Sequence, residues 1–187
     1  MADGFRTGDA AAMRLAALLG PWWRVLGGEP PACTIVPAPA LPSDVRPLLD
    51  HRGSMTLTLE ARWGGPVTVR RLSDTEDADT LTRASVLCTE AEGLPVELAV
   101  IRMALPALPA VLHDALRAAE VPFGRLLVEN GIVFAAEPVA FFRLEADAVA
   151  AAHGAVEVGT MVHGRLNRIV TPDGVELCEV VEIVPRA

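Results

Sequence analysis

The chain has 187 residues, of which 51% are hydrophobic and 21% charged, with a net charge of -8 and an isoelectric point near 5.0. That is enough apolar material for one compact domain, and the acidic balance argues against nucleic acid and anionic membrane as partners, since both need clustered cations. All 16 basic residues are arginine, which excludes lysine Schiff-base chemistry and P-loop lysines.

In chain order, the start shows an apolar run, LAALLG, too short for a secretory h-region, and no stretch of transmembrane length follows. Asp9 can cap a helix running to about Leu19, ended by Gly20 and Pro21. Trp22 and Trp23 then read as residues covering the core or an interface. Residues 27–47 are rich in Pro and Gly and read as an irregular wrap, so 1–47 is a helix and wrap belonging to the same unit as a main domain over 48–187.

Residues 54–72 read as a hairpin. Thr56, Thr58 and Glu60 alternate with Leu57 and Leu59, Gly64-Gly65 turn the chain, and Val67 and Val69 return it. SDTEDADT, 73–80, reads as a solvated acidic loop. LTRASVLC and PVELAVIRMALP are two long strands. PALPAVLHDALRAAE is a helix, VPFGRLLVENG a second short helix opened by proline, and EPVAFFRLEA another strand. A hairpin closes the chain, turning at Thr171-Pro172-Asp173-Gly174. The pattern is α+β: roughly six antiparallel strands with helices on one face.

Two charges interrupt aliphatic rows. In LTRASVLC, Arg83 shares a face with Leu81, Ser85 and Leu87. In VELCEVVEIV, Glu179 shares a face with Leu177, Val181 and Ile183, because strand side chains alternate. A three-residue turn loop places Asn167 opposite Glu179 and Arg165 one diagonal step away, a result that depends on register. Glu176 and Glu182 fall on the outer face. A buried charge needs a partner. Arg83 and Glu179 therefore read either as a structural ion pair or as walls of a pocket in which arginine meets an anionic ligand.

Cys33, Cys88 and Cys178 have no metal or CxxC spacing and read as reduced residues of a cytoplasmic protein. The four histidines form no metal motif, so no metal is expected, and His163 reads as structural. Ser54, Ser73 and Ser85 lack a GxSxG context, which argues against a serine hydrolase.

The ordered motifs GSMT (53–56), LTRASVLC (81–88), Gly93-Leu94-Pro95, VPFGRLL (121–127), GRLNR (164–168) and LCEVVEIVP (177–185) together resemble bacterial chorismate pyruvate-lyase. That enzyme makes 4-hydroxybenzoate and pyruvate from chorismate at the start of ubiquinone synthesis. The resemblance covers roughly 48–185, and is shared more loosely by the effector-binding domains of GntR-type transcription regulators. It implies a six-stranded antiparallel sheet, an enclosed site and no cofactor, in a monomer or dimer. It also implies that Met55 lies against the ring and Arg83 takes the ring carboxylate. Phe123 and Gly124 supply a backbone contact, and Glu179 faces the hydroxyl end as proton-transfer acid or base. The family's strand before the turn is richer in arginine. Leu166 stands where one arginine would be, so the second carboxylate of chorismate falls to Arg165, Arg168 or Arg102. That departure opens the alternative of a non-catalytic sensor or carrier of an aromatic acid. The residues before 48 carry no winged-helix pattern.

Overall fold

The computed structural model describes residues 3–187. A seven-stranded, wholly antiparallel sheet runs through it in the order β1-β5-β6-β7-β4-β3-β2. The strands are β1 (Thr34–Val36), β2 (Val67–Glu76), β3 (Thr80–Thr89), β4 (Pro95–Ala104), β5 (Ala135–Glu145), β6 (Met161–Val170) and β7 (Glu176–Val184). This is the expected α+β antiparallel architecture, with the three-residue β1 added at one edge. The helices differ from expectation in lying on both faces.

One face is covered by α1 (Asp3–Val25) and α6 (Ala148–Gly154). Leu15, Leu18, Leu19, Trp22 and Trp23 make an i, i+3, i+4 stripe that packs on Val86, Val100, Val181 and Ile183. That stripe carries α1 straight through Gly20-Pro21, where the sequence predicts a stop. Pro21 is exposed, and so is Ala17, whose carbonyl loses its partner at the proline. The orphaned carbonyl therefore lies on the exposed side of the helix, and its lost hydrogen bond costs less than releasing both tryptophans would. Trp23 also donates its Nε1–H to Asp147 at 2.6 Å, while the other oxygen of Asp147 caps α6 by accepting from Ala150 at 2.9 Å.

The opposite face is covered by α2 (Arg46–Leu49), α3 (Met55–Trp63), α4 (His113–Ala118) and α5 (Phe123–Glu129). The hairpin expected over 54–72 is replaced by α3 followed by β2. Met55 and Leu59 are buried four residues apart, the spacing of one helix face. The Ser54 side chain accepts from the Leu57 amide as N-cap, and Gly64 closes the helix in the left-handed region at φ 72°. Five alternating residues are too few to outweigh those two caps. The acidic loop also shrinks: β2 continues to Glu76, and only 77–79 turn.

The closing hairpin starts as expected, with Thr171 bonded to Val175 and Val170 opposite Glu176. A bulge at Leu177 then inserts one residue, so Ile169 faces Cys178, Arg168 faces Glu179 and Arg165 faces Glu182. Leu177 and Cys178 consequently pack into the same cluster. Beyond the bulge every predicted pairing slips by one, and the row containing Glu179 turns to α1 while the row containing Glu182 turns to α3 and α5.

Gly164 shows how tightly the sheet closes near that register. A Cβ there would meet the Glu182 carbonyl oxygen and the Phe142 ring, both at 2.5 Å, and neither neighbour is a flexible chain end. Gly164→Ala is expected to destabilise the fold by about 2–3 kcal/mol, read as a lower urea midpoint with an unchanged slope.

Candidate functional site

Between the sheet and α3–α5 lies a cavity of about 770 Å³, its open mouth included, with a mostly aliphatic wall. Ile101, Met103, Ile169 and Val180 form its floor, and Met55, Phe123 and Leu127 its roof. The site residues expected from the sequence divide here. Met55, Arg83, Phe123 and Gly124 line the cavity together. Glu179 and Arg165 do not.

Gly124 is required by the roof: a Cβ on it would strike the Ser54 hydroxyl and crowd that of Thr56. The absent side chain lets α5 rest against the first turn of α3, which brings Met55 and Phe123 over the same space.

Arg83 is buried at 6% exposure. A bulge in β2 at Leu72 moves Asp74 opposite it, where unbroken alternation would place Ser73. Its Nε donates to Asp74 at 2.8 Å and its Nη2 reaches Asp74 and the Arg117 carbonyl, both at 3.4 Å. Nη1 donates to nothing among the described residues. Asp74, part of the predicted loop, is thus the partner of Arg83, and the expected Arg83–Glu179 pair does not form. Among the described residues Arg83 is the one cation lining the cavity.

Glu179 is buried on the opposite face, under α1, where it accepts from Arg102 Nη2 at 2.7 Å and from Arg14 Nε at 2.8 Å. The catalytic position expected of it is corrected by the bulge at Leu177. The carboxylate that does reach the cavity is Glu182, which the sequence assigns to the outer face. It accepts from Arg165 Nε and from Asn167 Nδ2 at 3.3 Å. Arg165 has no exposed surface at all, and its Nη1 donates to the backbone carbonyls of Leu49 at 2.6 Å and His51 at 3.1 Å. It holds Glu182 from behind the wall and does not touch the cavity. Arg102 and Arg168 belong to the α1 face and cannot supply a second cation to the site.

Glu97 is a site residue the sequence reading misses. It lines the cavity at 3% exposure, and its Oε2 has no hydrogen-bond partner. Burial pushes its carboxyl well above the ordinary value of 4.5; the charge of Glu182 adds to the rise and Arg165 offsets part of it. The signal was available, because Glu97 breaks the row Ala99, Ile101, Met103 just as Arg83 breaks its own. On the register, Ala99 faces Glu182 and Glu97 is the next residue on that face, a diagonal neighbour.

The cavity therefore has two polar ends. Arg83 faces Ile101, four residues from Glu97 along β4, so the two side chains leave the sheet roughly 13 Å apart.

Short helices thus roof a cavity over an antiparallel sheet, and among the described residues its wall carries one cation, Arg83, and one carboxyl oxygen without a partner, on Glu97. Among solved structures the chain is similar to PhnF from Mycobacterium smegmatis, with a TM-score of 0.53 at 18% identity, covering 71% of this chain and 63% of that one. The effector domain of PhnF alone gives 0.52 and 18%, covering 71% and 88%. The gene product SA0254 from Staphylococcus aureus gives 0.53 at 10% identity, covering 71% and 87%. The chain thus spans less than two thirds of the length of PhnF, and the likeness is one of fold. The expected sharing of fold with an effector domain is met. No protein-family model matches the chain, and no curated protein does. No described helix is long and apolar enough to cross a membrane.

Proposed function

We propose that this chain binds a small, mainly apolar monocarboxylate, of aromatic-acid size, as a sensor or carrier. The observation that carries the reading is Nη1 of Arg83, the arm of a buried arginine in the wall of an aliphatic cavity that has no partner among the described residues. A planar guanidinium already oriented by Asp74 meets a carboxylate with little loss of side-chain freedom. The likeness of fold to the effector domain of PhnF supports a binding role. The absence of a second cation from the described wall weighs against chorismate, whose two carboxylates would both need one.

Calorimetric titration with benzoate and 4-hydroxybenzoate tests this. Both are expected to bind, and Arg83→Met to weaken both by roughly ten- to hundredfold, the worth of one hydrogen bond to a charged group. Asp74 is partly exposed and can hydrate in that variant, so folding is expected to survive.

A lyase reading keeps one favourable observation, the buried carboxyl of Glu97 inside the cavity, which burial raises well above its ordinary value, since release of pyruvate from chorismate needs a proton at the departing group. Appearance of 4-hydroxybenzoate and pyruvate from chorismate, lost in Glu97→Ala, would replace the binding reading.

A further inference from the structure

Glu97 and Glu182 make an arrangement that the carboxylate-anchor reading does not use. Two carboxyls sit diagonally on neighbouring strands and face one cavity. A single guanidinium, Arg165, serves them, and it is committed to Glu182. Asn167 donates to the same Glu182 oxygen, Oε2. Nothing among the described residues donates to Glu97. In a wall of this low polarity, two carboxyls beside one cation hold one proton between them. The group left with it is Glu97, whose Oε2 has no hydrogen-bond partner among the described residues.

We propose that the Glu97 end of the cavity is its specificity device: the ligand presents its carboxylate to Arg83 and an uncharged hydroxyl or carbonyl oxygen to Glu97, and a second carboxylate is rejected there. The inference rests on the carboxylate reading of Arg83 and adds the class of the opposite end. An uncharged oxygen gives the Glu97 proton an acceptor that the fold withholds. A ligand hydroxyl can in addition donate to the free oxygen of Glu97. A second carboxylate would set a second anion beside Glu182, with no further cation among the described residues of the wall to meet it. Strand side chains stand roughly perpendicular to the sheet, so the roughly 13 Å between the strand positions of Arg83 and Glu97 is about the span of a single ring bearing groups at opposite ends with one hydrogen bond at each.

The test uses the full chain and three probes of one shape: benzoate, 4-hydroxybenzoate and terephthalate. Each is titrated at pH 6.5, where the probes' carboxyls are ionised, into the parent, Glu97→Leu and Glu97→Gln, with thermal unfolding to show that the variants are folded. The parent is expected to bind 4-hydroxybenzoate about tenfold more tightly than benzoate, and terephthalate at least tenfold more weakly than benzoate. Glu97→Leu should erase the hydroxyl preference while leaving benzoate affinity within about threefold, because Arg83 is untouched. Glu97→Gln, which keeps an uncharged donor, should retain the preference. An undiminished hydroxyl preference in Glu97→Leu, or terephthalate bound as tightly as benzoate by the parent, overturns the proposal while the carboxylate reading stands. If no probe binds the parent, the carboxylate reading falls and takes the proposal with it.

Discussion

Glu182→Leu is expected to cost about 3–5 kcal/mol of folding stability, a large part of what a domain of this size has to lose. The reason is the charge left behind. Arg165 is fully enclosed, and without Glu182 its guanidinium would keep only the carbonyls of Leu49 and His51. Glu97 can ionise to replace part of the lost charge, which sets the value toward the lower end. The double variant Arg165→Met/Glu182→Leu should recover most of the loss, since it removes both charges and keeps the volume. Glu179→Leu on the other face makes the contrast. The side chains of its partners Arg14 and Arg102 are 41% and 52% exposed, so both regain water when the carboxylate goes. About 1 kcal/mol is expected there. Urea unfolding at pH 7 measures all three. A loss below 1 kcal/mol in Glu182→Leu would mean that water reaches Arg165.

Glu97→Gln is expected to match the parent in stability near pH 4.5 and to exceed it increasingly as the pH rises. The carboxyl of Glu97 is raised in the folded state above its ordinary 4.5. A raised acid leaves stability intact below the unfolded value and removes it as the pH climbs through the folded value, because unfolding then releases a proton. Between those two values the parent loses about 1.4 kcal/mol per pH unit relative to the glutamine variant, which has nothing to titrate. Glu182 and Arg165 face Glu97 and are the same in both proteins, so the difference between the two curves isolates this group. Unfolding titrations at pH 5, 6.5 and 8 give the comparison, and parallel curves would show that Glu97 is hydrated in the folded state.

The two rules that found Arg83 and missed Glu182 are the same rule. Alternation singles out a charge in an aliphatic row, and on β3 the row runs unbroken from Leu81 to Leu87, so Arg83 is placed correctly. On β7 the bulge at Leu177 breaks the row within the hairpin, and parity beyond it is reversed. Both faces of β7 are buried, by α1 on one side and by the cavity on the other, so burial could not distinguish the two glutamates either. Asp74 tells the same story on β2, where the bulge at Leu72 turns a residue of an apparent acidic loop into the partner of a buried arginine. Met55 and Gly124 are legible as motif residues, but the short alternation after Met55 has the look of a strand, and it is the Ser54 and Gly64 caps that make the segment a helix.

By itself the sequence determined the composition of the core, the antiparallel α+β class, the strands β3, β4, β5, β6 and β7, and the presence of a polar group at Arg83. Those follow from local periodicity and turn chemistry, which act over a few residues. Only the tertiary structure decided which carboxyls face the cavity, that Arg165 stands behind Glu182, and that no described residue donates to Glu97. A one-residue bulge costs little locally and leaves almost no trace in the alternation, yet it reassigns every side chain beyond it to the opposite face.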